Sequence, residues 1–391
     1  MKIGIITFHF AYNCGAVLQC VALCEKLEQM GHEVCVINYQ PWYHKNRYMP
    51  LKNPFYNFAK RVAKREGNDN IIKQLLRGAK GFLATIYSWR HYPKLRKVDK
   101  YFQTFNKNSL NETRIYRTYD QLVKNPPKCD LYISGSDQLW NAKLTEGKLD
   151  PAYLLDFGDE GVKKITYAMG VSLDNMNETF EGVKDIITRL DAISLREKEC
   201  YEDIKNLTGE KVPMHVDVDP TFLLRKEDYD KYICKESLSD EPFIFTYTMM
   251  DKSRDEVYKI ATHMSEKLGI KLIDASANPK SPSKLLAEHR VCGPAQFLWY
   301  IKNAKYVVTN SFHGTAFSVN MEKNFITIPH SHTGYRVTEI LDKLGLEDRY
   351  AYDADEGEKI FENTADYHIA KEKLDALRQE SINYLEMHTM K

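Results

Sequence analysis

The sequence predicts an α/β chain of two domains, each built on a parallel sheet, facing one another across a cleft. Three observations carry that prediction. The 391 residues exceed what one ordinary hydrophobic core serves. Short β-branched runs alternate with longer runs of helical apolar spacing, and the crossovers between them make successive strands parallel neighbours. Several strands end in clusters of small polar or basic residues, where open parallel sheets place ligands. The expected divisions are a first domain over 1–228, with a basic helical insertion over 41–100, a second domain over 229–365, and a closing amphipathic helix over 366–391.

Composition excludes several classes. A hydrophobic fraction of 43% and a charged fraction of 28% are those of a globular protein. No apolar run approaches the roughly 18 residues of a membrane span. The opening MKIGIITF reads as a first strand rather than an export signal. Eight cysteines are scattered without a C-x-x-C pair, which fits a reducing cytoplasm and argues against zinc or disulfides.

In chain order, Lys2 to Phe10 is a strand, Val17 to Met30 a helix and Glu33 to Tyr39 a second strand. The turn between them holds Asn13 and Gly15, with one glycine and not a dinucleotide fingerprint. Asn13 stands where it could approach a ligand or only make the turn. Residues 41–100 carry fifteen Lys/Arg against three acids, a local charge of +12 that leaves −11 for the remainder. Phe55, Phe58 and Val62 share a helix face opposite Lys60, Arg61, Lys64 and Arg65. Basic amphipathic helices with aromatics are attracted to anionic membrane surfaces. A solvated insertion would have the same composition, and nucleic acid is the competing partner, not chosen here.

Asp130 to Ile133 is the next strand, running into Ser134-Gly135-Ser136-Asp137-Gln138-Leu139-Trp140-Asn141. Asp137, Gln138, Trp140 and Asn141 are candidates to grip sugar hydroxyls, with the indole stacked on a ring face. Lys164 to Ala168 is a strand and Glu181 to Leu190 a helix. Ala192 to Leu195 delivers Arg196 and Glu197 to the same edge. An arginine there binds a carboxylate or phosphate bidentately, or pairs with Glu197 or Asp191.

Beyond a polar passage, strands at Phe243 to Thr248 and Ile270 to Ala275 and helices at Ser253 to Leu268 and from Gly293-Pro294 to Ala304 open the second domain. Val307, Val308 and Thr309 form a buried strand that breaks at Asn310 and Ser311 and starts a helix after Gly314. That junction gathers free N–H groups and the positive end of a helix dipole, ready for an anion. His313 sits there; taken locally, such a histidine is more often a structural hydrogen-bonder. A strand follows at Asn324 to Ile328, then His330 and His332, whose spacing suggests metal only weakly, so none is expected. Arg336 stands on the first turn of the helix to Leu344, unfavourable against the dipole unless an anion lies between them. Asp366 to Met387 closes the chain, with Ile369, Leu374, Leu377, Ile382 and Leu385 on its apolar side.

These residues resemble the polysaccharide pyruvyl transferase family. The resemblance rests on Asn13-Cys14-Gly15-Ala16-Val17-Leu18-Gln19, Gly135 to Asn141, Arg196-Glu197 and Asp219-Pro220-Thr221-Phe222-Leu223-Leu224. It continues through Gly293-Pro294, Thr309 to Gly314, and Arg336 ahead of Leu344 to Arg349. The basic segment matches no motif, and Ala168-Met169-Gly170 departs from the serine and aromatic often found there. The resemblance implies two Rossmann-like domains similar to the glycosyltransferase B architecture. It also implies phosphoenolpyruvate as co-substrate, no separate cofactor, and a glycan diol as acceptor, joined as a cyclic pyruvate ketal. With the basic segment of 41–100 at a membrane surface, the acceptor expected is lipid-linked or polymeric and the place expected is the cytoplasm, at the inner membrane face. Under it His313 is the general acid. Arg196, Arg336, Asn310, Ser311 and Gly314 hold the donor, and Asn13, Asp137, Gln138, Trp140 and Asn141 the acceptor. A nucleotide-sugar glycosyltransferase of the same fold is the alternative, though the pair of glutamates eight positions apart is missing (Glu288 meets Gln296, Glu322 meets His330). A non-catalytic glycan- or anion-binding module is the third reading.

Overall fold

The computed structural model describes residues 1–63, 70–172, 176–284, 288–331 and 334–390. Strands β1 (Lys2–Ile6), β2 (Glu33–Val36), β3 (Leu131–Gly135) and β4 (Lys163–Tyr167) form a parallel sheet in the order β2-β1-β3-β4. A parallel pair, β5 (Ile193–Leu195) and β6 (Met214–Val216), extends it through bridges at Ile165–Ala192 and Met169–Leu195. Strands β7 (Phe243–Tyr247), β8 (Lys271–Ser276), β9 (His289–Val291), β10 (Tyr306–Thr309) and β11 (Phe325–Thr327) make a second parallel sheet, ordered β11-β10-β7-β8-β9. β3 and β7 are buried along their whole length, as strands covered on both faces must be. The chain is α/β, with two Rossmann-like units.

In each sheet the strand order reverses once, between β1 and β3 and between β7 and β10. Ligand crevices open at the carboxyl ends of strands at such switch points. The helix Cys14–Gln29 leaves β1 with twelve of its sixteen residues buried. Its apolar face shares one core with Phe297 and Ile301 of the helix Pro294–Asn303, so apolar packing joins the two units behind the cleft.

Several elements differ from the sequence reading. β1 stops at Ile6, because Thr7 to Ala11 turn into a buried loop held by side-chain bonds from Thr7 and His9. Glu181 to Leu190 is broken, with helices at Met176–Glu181 and Lys184–Ile187. β9 was not anticipated. The closing helix, His368–Thr389, returns to the first sheet: Tyr384 donates to the Thr166 carbonyl (2.9 Å), Arg378 to that of Phe222 (2.6 Å), and Ser381 Oγ accepts from the Val218 N–H (3.0 Å). Ile369, expected on its apolar side, is 58% exposed.

The basic segment is helical, with longer helices at Pro54–Ala63, Ile71–Ser88 and Tyr92–Ser109. The last docks on the core through Val98, Phe102 and Phe105. The other two form a hairpin. Phe58 and Val62 turn inward onto Gly78, so that part of the apolar face expected to meet a membrane is covered by the partner helix, while Phe55 stays 71% exposed. Lys64 and Arg65 lie outside the described residues, as does His332.

Candidate functional site

The site begins with a glycine and a histidine nearly three hundred residues apart. Ser311 caps the helix Phe312–Asn320, its Oγ accepting the Gly314 N–H at 3.3 Å, and this fixes His313 in the first turn. His313 reaches across the cleft to the start of the helix Cys14–Gln29. A Cβ on Gly15 would lie 2.5 Å from His313 Cβ, and closer still to Cγ and Nδ1. Glycine is therefore what lets the imidazole seat against the first domain. His313 is 8% exposed; its Nε2 is buried, has no hydrogen-bond partner and faces Asp219 Oδ2 at 3.7 Å.

Asp219 is fixed from several sides. Its Oδ2 takes Arg196 Nη1 at 2.9 Å and Ser136 Oγ at 3.3 Å, while Oδ1 takes the Thr221 N–H at 3.0 Å. Burial alone would push this carboxyl up, but His313, Arg196 and the Thr221 N–H outweigh it and hold it well below the ordinary carboxylate range. Asp219 is thus a fixed negative charge behind the imidazole. It faces Nε2 and so orients the ring, leaving Nδ1, the nitrogen beside Gly15, as the atom for proton transfer.

Of the two readings open for Arg196, the ion pair is what the structure holds. Nε donates to Glu197 Oε1 at 2.7 Å, Nη1 goes to Asp219, and the guanidinium lies 4.8 Å from the centre of the Phe312 ring. Desolvation works against its charge, but Glu197 and Asp219 more than compensate and raise its pKa. Its place as a free donor ligand is corrected: both carboxylates engage its guanidinium, and it lines a smaller cavity beside Phe312 and Arg336 rather than the cleft of His313. Arg336 does line the cleft. Its Nε is buried, lacks a hydrogen-bond partner and lies 3.8 Å from Glu197 Oε1. Arg196 Nη2 and Glu197 Oε2 are likewise buried without partners. Such atoms cost about 1–3 kcal/mol each unless water or a ligand meets them.

The opposite wall hangs on Gln19. Its Oε1 accepts the Ser136 N–H at 3.1 Å, and its Nε2 donates to Thr7 Oγ1 at 3.0 Å, so the helix after β1 sets the position of the loop after β3. That loop presents Asp137 and Gln138 to the cleft. Trp140 is a correction. It is fully buried, donating Nε1 to the Tyr153 carbonyl at 3.3 Å with its ring edge-on to Phe180, so it packs the core and cannot stack on a sugar. Asn141 is also buried, its Oδ1 taken by the Lys143 N–H.

Asn13 lines the cleft while capping its helix, Oδ1 accepting from the Gly15 and Ala16 N–H groups. Asn310 lines it too, but its amide clamps Met249 N (2.7 Å), Met249 O (3.2 Å) and Ser253 Oγ (3.1 Å), tying β10's end to β7's. Gly314 lies off the cleft, pressed on Thr309, where a Cβ would meet the threonine's own Cβ at 3.1 Å. The bare helix start expected here is therefore partly closed by the Ser311 cap. The cleft measures about 750 Å³ and brings together Asn13, Asp137, Gln138, Ser311, His313 and Arg336, with His330 and Met249 at its side. Among the described residues no group of three or more His, Cys, Asp or Glu could hold a metal. Sequence reasoning did not single out Asp219, Glu197 or Gln19 as site residues. The signals available were their places in the motifs that carry the resemblance and, for Asp219 and Glu197, an acid just beyond a strand's carboxyl end.

No curated protein matches the chain in sequence. Among solved structures it is similar to S. aureus MnaA with UDP (10% identity, TM-score 0.48, covering 99% of this chain and 96% of that one). It is similar also to Arabidopsis thaliana UGT89C1 with UDP-L-rhamnose (10%, 0.45, 98% and 94%) and to the UDP-GlcNAc 2-epimerase of Methanocaldococcus jannaschii (12%, 0.46, 97% and 100%). Likeness at this level says nothing of what this chain binds. The model of one family, by contrast, spans residues 13–332 and takes in every motif that converges on the cleft up to His330. The chain belongs to the polysaccharide pyruvyl transferase family.

Proposed function

We propose that this chain moves the enolpyruvyl group of phosphoenolpyruvate onto two hydroxyls of one glycan sugar, forming a cyclic pyruvate ketal on a lipid-linked precursor. The observation that carries the reading is His313, set at a helix start between Asp219 and the cleft, with Arg336 on the same wall. In the first step one sugar hydroxyl oxygen bonds to C2 of the enol while His313 delivers a proton to C3, turning the methylene into a methyl. Asp137 on the facing wall takes the proton that hydroxyl loses. In the second step the neighbouring hydroxyl oxygen bonds to C2 and gives its proton back to the imidazole, the C2–O bond to phosphate breaks, and Asp137 passes its proton to the departing phosphate. The products are one ketal and one inorganic phosphate. Arg336 and the N–H groups of Phe312 and His313 meet the donor's negative charges.

The test is an incubation with phosphoenolpyruvate and a lipid-linked glycan, following phosphate release and, by mass spectrometry, the acceptor's gain of pyruvate less water. His313→Ala is expected to abolish both while circular dichroism stays unchanged. Turnover by that variant, release of a nucleotide from a nucleotide sugar instead, or binding without turnover would overturn the reading.

A further inference from the structure

The hairpin of helices Pro54–Ala63 and Ile71–Ser88 is built inside out. On the second helix the small residues Gly78, Gly81 and Thr85 are buried against its partner, and a Cβ at Gly78 would lie 2.5 Å from Val62 Cγ2. The large apolar side chains point the other way. Ile72, Leu76 and Leu83 are 62%, 57% and 66% exposed, and Leu75 and Ile86 flank them at 47% and 40%. At about 100° per residue these five fall on one outward stripe. A surface helix of a globular protein turns such a stripe inward. Here the fold closes the hairpin with glycines and leaves the stripe without a partner among the described residues.

Neither helix carries an acid, and Lys73 and Lys80 border the stripe. We propose that this hairpin is an interfacial anchor that seats the enzyme on an anionic lipid bilayer, with Ile72, Leu76 and Leu83 entering the headgroup boundary and the lysines meeting lipid phosphates. A second copy fits less well, because it would set one pair of acid-free cationic helices against another. No helix among the described residues is long and apolar enough to cross a membrane, so this contact lies on the surface.

The lining of the molecule supports the orientation. Arg47 and Lys52 border both the cavity of about 880 Å³ beside the hairpin and a groove of about 1060 Å³ that shares Asn13 and Met249 with the cleft of His313. No acid is found among the described residues lining the cavity or the groove. An anionic lipid-linked substrate thus has a cationic path from the bilayer to the imidazole.

The test reads vesicle binding without any substrate, so it stands or falls apart from the ketal chemistry. The full chain is floated with phosphatidylcholine vesicles and with vesicles containing phosphatidylglycerol. It is expected to float with the anionic vesicles alone. Leu76→Glu with Leu83→Glu should cut the bound fraction at least tenfold, and each of Lys73→Glu and Lys80→Glu roughly fivefold. Turnover on a short soluble glycan should be unchanged in all of them, which also shows that they fold. No flotation with anionic vesicles, wild-type flotation by the double leucine variant, or a wild-type dimer that this variant dissolves without vesicle binding would each overturn the proposal.

Discussion

Gly15→Ala tests whether the two halves of the site meet in the working enzyme. Locally the substitution should help, because Gly15 lies in the first turn of a helix, where alanine is favoured by roughly 1 kcal/mol. Across the cleft it should harm. The new Cβ would fall 2.5 Å from His313 Cβ and nearer to two ring atoms, whereas ordinary contact begins near 3.4 Å. The ring must therefore retreat by roughly 1 Å. It has little room, since Asp219 stands behind it and Ser311 fixes its turn. Overpacking of this kind costs about 1–3 kcal/mol, so the steric term exceeds the helical gain and a net loss of up to 2 kcal/mol is expected. A displacement of 1 Å at a proton-transfer group lowers turnover on the order of a hundredfold. Thermal melting and phosphate release from phosphoenolpyruvate measure the two effects side by side. A Gly15→Ala protein with a raised Tm and full turnover would show that His313 does not work while seated on the first domain.

The other expectations separate structural from chemical roles. Arg196→Ala leaves Glu197 and Asp219 without their buried partner, so about 3–5 kcal/mol of stability should go, whereas Arg336→Ala should raise the KM for phosphoenolpyruvate on the order of tenfold or more with a nearly unchanged Tm. Asp219 has a depressed folded pKa, so its contribution is fully present above the unfolded value of about 3.9 and is lost as pH falls toward the folded one; Asp219→Asn should flatten the dependence of stability on pH in that acid window, and an unflattened curve would remove Asp219 from the acid response. Trp140→Ala should cost about 3–5 kcal/mol by denaturant unfolding, while Trp140→Phe, which loses the bond to Tyr153, should cost about 1 kcal/mol and leave the acceptor KM alone.

What was legible from sequence followed the range over which its cause acts. The strand at 306–309 and the helix capped by Ser311 come from neighbouring residues, so a β-branched run followed by a small polar cap announces them. Gly15 and Gln19 read as parts of a turn and a helix, because what they serve lies far along the chain: His313 for one, Ser136 for the other. Trp140 misled for a related reason. Its polar neighbours suggested a binding loop, but Tyr153 supplies the carbonyl that makes burying the indole favourable, and Tyr153 carries no mark of that task. Arg196 looked like an anion ligand until Asp219 arrived beside it. The hairpin shows the same logic in reverse, since apolar spacing on Ile71–Ser88 says which residues share a face but not which way it points. Only the glycines do, by fixing which side closes on Phe58 and Val62. Each family motif is therefore half of a contact, and its chemistry appears only when the fold brings up the other half.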